Sequence, residues 1–339
     1  MKFLFYLSGE HPDLPKSELI AVLAGEEIDY KGGYYKNRLL IVDCGTENSD
    51  FIERLAMTKY AAEFVIKSNN IDEIAEEINK KISNKISNNN YKNYKTFAVR
   101  CKTLDDKNSM EIEKELGKRI KEISNLDVNL KNPDFTVSCF TDNDFFAGIK
   151  ININLENFNS RKAQNRPYFS PVSMHPKIAR VLVNLARIKK GSTILDPFCG
   201  TGGILIEAGL MGMKIIGCDL DERMVEGCKK NLKFYNIEGE IQAGDALELK
   251  GIKTDAIVTD PPYGKSSFLS EKNKNLKNLI KFYNNFLNSA KQILKKGKFL
   301  VMVLPYEYKL NFNGFFVCEF YDVRMHRSLT RRIWILKRK

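Results

Sequence analysis

The sequence predicts an α/β chain with two unlike halves. The front half is α+β, and the back half is built on a doubly wound, mostly parallel sheet finished by a hairpin. Three observations lead there. The first 67 residues read strand, helix, two strands, helix, strand. The back half of the chain, after the linker, alternates apolar strands with amphipathic helices. The chain has 339 residues, 43% of them hydrophobic and 28% charged, which is enough for two or three globular domains and excludes fibrous, collagen-like and wholly disordered classes.

In order along the front, residues 2–8 form an apolar strand and 13–24 a helix entered through Pro12 and Pro15, whose fixed φ suits a first turn. Residues 26–31 and 34–43 pair around a turn at Gly32-Gly33, 48–58 form a second helix and 61–67 a last strand. That order is the ferredoxin-like arrangement, assigned to residues 1–67. Isoleucines at 71, 74, 78, 82 and 86 mark a helix over 71–88, which an Asn-rich loop over 84–93 interrupts. A strand at 96–101, a helix at 110–123 and strands at 135–140 and 144–153 complete a second domain at 68–155. Residues 154–170 show no clear element, and the interdomain linker is placed at 156–170.

The last domain, 171–339, has expected strands at 193–196, 214–219, 240–244, 255–260 and 298–304, with helices near 203–212, 221–236 and 275–296 between them. Two β-rich pieces, 315–324 and 331–338, form the closing hairpin and give the sheet a mixed edge.

Charge narrows the function. Lys and Arg number 54 against 42 Asp and Glu, a net +12, which favours an anionic partner such as nucleic acid. The excess starts at mid-chain and peaks over 161–190, 265–298 and 324–339, a phosphate-binding rim if all three flank one site. No apolar run is long enough for a transmembrane helix, and the run over 3–7 is too short for a signal peptide, so a cytoplasmic protein is expected. Seven cysteines without a C-x-x-C pair, and only three histidines, favour reduced core thiols and no metal site.

The run Asp196-Pro-Phe198-Cys-Gly200-Thr-Gly202-Gly joins the first strand of the last domain to its helix. Open α/β sheets bind ligands at this edge, where glycines let the backbone come close. A glycine pattern alone is weak, and packing glycines in a tight turn would look the same. The loop lacks the Lys-Ser/Thr of a nucleotide P-loop and opens with a carboxylate, Asp196, suited to a cation such as a sulfonium amino acid. The second strand ends in Asp219-Leu220, with Asp219 placed to accept from ribose hydroxyls. The third ends in Asp245-Ala246, suited to an adenine amine. NAD would satisfy Asp219 equally well but leaves Asp196 unexplained.

The fourth strand ends in Asp260-Pro261-Pro262-Tyr263. Two prolines stiffen the turn and remove two N–H groups. Asp260 and the Pro261 carbonyl can then both accept from one exocyclic NH2, with the Tyr263 ring over its planar base. Such an amine is a poor nucleophile because its lone pair is delocalised. Holding both hydrogens out of plane localises that pair, and Asp260 can help remove the proton.

Together the strand-four tetrapeptide and the strand-one loop resemble the class I S-adenosyl-L-methionine-dependent amino methyltransferases, with their Rossmann-like sheet. Phe97-Ala-Val-Arg100, Leu116-Gly117, Val128-Asn-Leu-Lys-Asn-Pro133-Asp and Gly148 resemble a THUMP RNA-binding domain. Over nearly its full length the chain is similar to the archaeal tRNA (guanine-10-N2) methyl- or dimethyltransferase family, by Leu7-Ser-Gly-Glu-His-Pro12, Arg166-Pro-Tyr-Phe169, Met174-His-Pro176 and Thr259-Asp-Pro-Pro-Tyr-Gly264. The resemblance implies a tRNA partner gripped at its acceptor end by the THUMP domain, although the 71–150 stretch is electrically neutral. It implies one or two methyl groups added to a guanine N2. It places His175, in a positional role, near the methionine part of the cofactor. Arg166, Phe169 and Lys265 are candidate substrate contacts, and the linker residues among them equally suit packing between domains. A monomer is expected.

Three alternatives stay open: another tRNA guanine, a DNA amine, or an RNA-binding module without catalysis. The THUMP-like half argues against the second and the intact tetrapeptide against the third. A tRNA thiolation enzyme would need a Ser-Gly-Gly-x-Asp-Ser loop, which is absent.

Overall fold

The structure is a computed structural model that describes all residues except 88–93, 154–155, 172, 264–275 and 327–328. The chain divides into two units. One comprises Met1–Gly9, Asp29–Ile52 and Thr58–Asn154, the other Glu10–Ile28, Glu53–Met57 and Leu155–Lys339.

The first unit is one eight-stranded sheet. Its strands are β1 (Lys2–Leu7), β2 (Tyr30–Lys36), β3 (Leu39–Cys44), β4 (Thr58–Ser68), β5 (Thr96–Thr103), β6 (Asp127–Val128), β7 (Phe135–Asp142) and β8 (Asp144–Lys150), in the order β2-β3-β1-β4-β8-β7-β5-β6. The β2-β3-β1-β4 portion, antiparallel throughout, is the ferredoxin-like order. The hairpin turn is not at Gly32-Gly33. It falls at Asn37-Arg38, both at positive φ, while the glycine pair lies inside β2 beside a register shift. A Cβ on Gly33 would stand 2.7 Å from the Ile41 carbonyl oxygen, so the glycine serves a close strand approach. The helix expected at 48–58 shrinks to a 3-10 turn, Asp50–Arg54. Helices α2 (Ile71–Ser87) and α3 (Ser109–Ile123) bury Ile74, Ile78, Ile82, Ile112, Leu116 and Ile120 in a core shared with β5 and β7. Asn108 caps α3 by accepting from the N–H groups of Met110 and Glu111.

The second unit holds a seven-stranded sheet of β9 (Thr193–Asp196), β10 (Lys214–Asp219), β11 (Gly239–Ala243), β12 (Thr254–Thr259), β13 (Leu294–Pro305), β14 (Phe315–His326) and β15 (Leu329–Arg338). Its order is β11-β10-β9-β12-β13-β15-β14. The first five strands are parallel, and β15 inserts antiparallel between β13 and β14, which is the closing hairpin and mixed edge the sequence implied. Helices α4 (Pro176–Leu185), α5 (Gly203–Leu210), α6 (Glu222–Phe234) and α7 (Leu276–Ile293) complete it. Apolar residues lie on both sheet faces, in two clusters centred on Leu182, Leu205 and Val258, and on Ile257, Phe286 and Leu300.

Two segments change the expected picture of this unit. Helix α1 (Leu14–Gly25) belongs to it, and Leu14, Ala21, Ala56 and Met57 share a core with α4. Glu18, wholly buried on α1, accepts from the Ala56 and Met57 N–H groups and from Asn184 Nδ2, each at 2.8 Å. The linker, expected to lack structure, forms 3-10 turns at Phe158–Arg161 and Ala163–Asn165. Arg161 and Arg180 clasp Glu207 of α5, itself fully buried, at 2.8 and 2.9 Å. A buried carboxylate persists only with such partners.

Candidate active site

In this sheet the change of chain direction lies between β9 and β12, and ligands of open α/β sheets sit outside the carboxyl ends of strands at such a point. Both motifs singled out in the sequence end there. β9 runs into Asp196 and the glycine loop, and β12 runs into Asp260.

The loop's shape comes from its glycines. Gly200 has φ +50° and Gly202 φ +85°, conformations side chains disfavour. A Cβ on Gly202 would also stand 2.7 Å from Cys228 Sγ, whereas the space beside Gly200 is open. The Gly200 N–H donates to Asp219 Oδ2 at 2.8 Å, tying the loop to the end of β10. The Gly244 N–H donates to the Asp219 carbonyl, which brings the end of β11 alongside. Asp245 there accepts from the Leu247 N–H at 2.8 Å, and Ala246 is buried. Leu220 is exposed at the mouth, and Phe198 packs on Phe282 and Phe286 of α7.

Asp196 is buried and accepts from the Phe198 N–H (3.2 Å) and from Thr259 Oγ1 (2.6 Å). Burial outweighs these bonds and pushes its pKa up to about 7. Burial also raises Asp219. A site with two carboxyls destabilised by desolvation and open space at the loop suits a ligand with a cationic end and polar hydroxyls, as on a ribose. S-adenosylmethionine has both.

Asp260 lies one residue beyond Thr259. Its Oδ1 is shut off from solvent and has no hydrogen-bond partner among the described residues. Its Oδ2 accepts from Arg331 Nη1 at 2.8 Å. Burial raises its pKa to about 6, against the lowering pull of Arg331. The Arg331 guanidinium also lies over the Tyr263 ring, 4.4 Å from its centroid. Tyr283, buried on α7, donates to the Pro262 carbonyl at 2.7 Å and fixes the turn from below.

The remaining candidates are more scattered. His175 caps α4, its Nδ1 accepting from the Lys177 N–H at 3.2 Å, and burial lowers its pKa. Next to it, the hydroxyls of Ser173 and Thr201 lie 3.1 Å apart, joining this segment to the glycine loop. Arg166 is not a surface arm. It is buried, donates from Nε to the Arg161 carbonyl, and puts Nη1 3.4 Å from where a Cβ on Gly203 would be. With Arg161 and Arg180 also buried, the basic stretch over 161–190 gives fewer surface cations to a phosphate rim than its composition suggested. Phe169 is exposed, and Lys265 lies outside the described residues.

Sequence reasoning missed Thr259, Tyr283 and Arg331. Thr259 could have been found from its place beside Asp260, just after the apolar run Ala256-Ile257-Val258. Arg331 could not, because its partner is 71 residues away and its sequence setting is a basic tail.

Among the described residues no helix is long and apolar enough to cross a membrane, and no group of three or more His, Cys, Asp or Glu side chains is arranged to hold a metal ion.

A family model described as "RMKL-like, methyltransferase domain" matches residues 163–317. A second, described as "DNA methylase", matches 27–230 and stops before Asp260. The tRNA (guanine(10)-N2)-dimethyltransferase of Methanothermobacter thermautotrophicus is 39% identical, with 100% of both chains covered. That of Methanocaldococcus jannaschii is 32% identical over 98% of this chain and 99% of its own. The crystal structure of TrmN from Thermus thermophilus aligns over 100% of both chains with a TM-score of 0.52 at 20% identity, a likeness of fold.

Proposed function

The chain belongs to the tRNA (guanine(10)-N2)-dimethyltransferase family, and on that premise we propose that it transfers methyl groups from S-adenosylmethionine to the exocyclic N2 of guanine 10 in tRNA. One observation carries the chemistry. Asp260, with an unpartnered buried oxygen, stands beside Thr259, whose hydroxyl is bonded to Asp196 of the cofactor loop. Acceptor and cofactor loop thus share one sheet edge.

The cofactor supplies an electrophilic methyl carbon on a sulfonium leaving group. Asp196 would hold its positive end and Asp219 its ribose hydroxyls, Phe198, Leu220, Asp245 and Ala246 would take the adenine, and His175, as the cap of α4, would steady the segment nearest the methionine part. Asp260 and the Pro261 carbonyl accept the two amine hydrogens, turning the nitrogen lone pair toward the methyl carbon. Tyr263 stacks on the base. Pro262, held by Tyr283, keeps the turn from relaxing. After transfer the nitrogen carries an extra proton, which Asp260, with a pKa near 6, is suited to take.

A guanine in the tRNA core must leave its stack to reach this edge. The parts of 1–67 that lie in the first unit and the THUMP segment 68–155 serve as the docking device, 156–170 leads into the catalytic domain 171–339, which takes Glu10–Ile28 and Glu53–Met57 with it, and Phe169 and Lys265 stand on the substrate side. The protein works as a monomer in the cytoplasm.

The test is mass spectrometry of nucleosides from tRNA incubated with the protein and labelled cofactor, with guanine 10 intact or replaced and with duplex DNA in parallel. N2-methyl- and N2,N2-dimethylguanosine that disappear with the replacement are expected. Label in DNA, or at another guanine, would overturn the assignment.

A further inference from the structure

Arg331 makes the two contacts that a guanine must make to be methylated. It donates to Asp260 Oδ2 and places its guanidinium carbon 4.4 Å from the centre of the Tyr263 ring. The likeness is chemical as well as positional, because N1, C2, N2 and N3 of guanine form a cyclic guanidine, and both groups are planar with N–H donors along an edge. We propose that Arg331 is a displaceable occupant of the substrate-amine site: it holds Asp260 and Tyr263 in the free enzyme and is driven out when guanine enters. This rests on the methyl-transfer reading above and makes Arg331 a positioning residue acting through Asp260.

The fold explains how the side chain gets there. β15 runs antiparallel to β13 with Arg331 opposite Pro305, so Arg331 sits at the carboxyl edge where β12 ends in Asp260. Its neighbour Arg332 pairs instead with Asp322, through two bonds of 2.6 and 2.7 Å. Successive strand residues point to opposite faces, so only Arg331 can turn to the site. The pair is not saturated, since Asp260 Oδ1 and Arg331 Nε both lack partners among the described residues. An incoming amine therefore finds Asp260 Oδ1 free and, as the arginine leaves, takes its place between Asp260 and the Pro261 carbonyl.

Exchange alters the carboxyl. The ionisable groups facing Asp260 are Arg331 from β15, Asp196 at the end of β9, Tyr283 from α7 and Tyr263 of its own turn. Among the described residues Arg331 is the only cation of these. While it is paired, Asp260 is kept ionised and ready to accept an amine hydrogen. Once it has left, Asp260 binds a proton more tightly, which favours deprotonation of the methylated nitrogen.

The experiment compares wild type, Arg331→Met and Arg331→Lys in methyl transfer to tRNA across pH 5–9, at subsaturating and saturating tRNA. The first condition reports free-enzyme groups and the second those of the complex. Arg331→Met should move the acid limb of kcat/KM up by about one pH unit, as expected for loss of an adjacent cation. It should leave the limb of kcat in place and lower KM several-fold above the limb. Arg331→Lys, charged but not planar, should keep the wild-type limb. Equal movement of both limbs, or movement of neither, would overturn the proposal while leaving the function standing. A wild type that transfers no methyl group to tRNA would overturn both.

Discussion

Thr259 Oγ1 donates to Asp196 Oδ1 across 2.6 Å, and through this bond the strand that presents Asp260 is fastened to the strand that opens the glycine loop. Both side chains are buried, so the bond has no competition from water. Thr259→Val keeps the shape and removes the donor. It should cost about 1–3 kcal/mol of stability, the usual effect of leaving a buried acceptor short of a partner. It should also weaken cofactor binding. Denaturant unfolding and calorimetric titration check the two effects separately.

Asp260→Ala should leave S-adenosylmethionine affinity within a few-fold of wild type and abolish turnover. Its contacts lie on the substrate side, to Arg331, whereas the loop is held by Asp196 and Asp219. Single-turnover methyl transfer beside a cofactor titration provides the check. Persisting activity would remove Asp260 from the amine-gripping role.

Asp196 predicts a pH dependence of binding. Its pKa in the folded protein is about 7, well above the ordinary carboxyl value. Below pH 7 it is largely neutral and offers little to a cationic ligand, so cofactor affinity should rise as pH climbs from 6 to 8. Asp196→Asn should flatten that rise. The stability of the ligand-free protein runs the other way. A raised carboxyl pKa means that the native state binds the proton more tightly than the unfolded chain. The stabilisation is therefore complete below about pH 4 and is lost as pH rises through about 7. Melting at pH 5.5 and 7.5, wild type against Asp196→Asn, measures the difference.

Tyr283→Phe removes one hydroxyl, the donor to the Pro262 carbonyl at 2.7 Å. It should cost about 1 kcal/mol of stability. If the turn must be held for Pro261 and Asp260 to grip together, kcat should drop severalfold with cofactor affinity unchanged. A fall in cofactor affinity instead would place Tyr283 with the loop.

Much of this was legible in the sequence because the back half is a parallel sheet. Its central strands β9, β12 and β13 are largely buried and carry short apolar runs, and β9 and β10 fall at the expected residues. The glycine loop and the tetrapeptide were legible because their geometry is local: positive φ at Gly200 and Gly202, two consecutive prolines after Asp260. Where sequence reading failed, distant residues decide. The 48–58 stretch has helical spacing, yet Glu53–Met57 joins the second unit and its amides go to Glu18, so only one 3-10 turn forms. The linker looked unstructured because the carboxylate that orders Arg161 is Glu207, 46 residues on. Arg331 and Arg332 resembled a cationic tail because Asp260 and Asp322 meet them only after the sheet has formed.

The membership of α1 bears on how this protein can be taken apart. The catalytic unit is not the chain from 155 onward; it also owns Glu10–Ile28 and Glu53–Met57. A fragment cut at 155 would take Leu14, Ala21 and Met57 out of the core they share with α4, and would strip Asn184 of Glu18. Such a fragment should precipitate or melt early, so its loss of tRNA methylation would say nothing about docking. A shuffled or grafted version of this enzyme would have to carry those two short pieces with it, as a garment carries its lining.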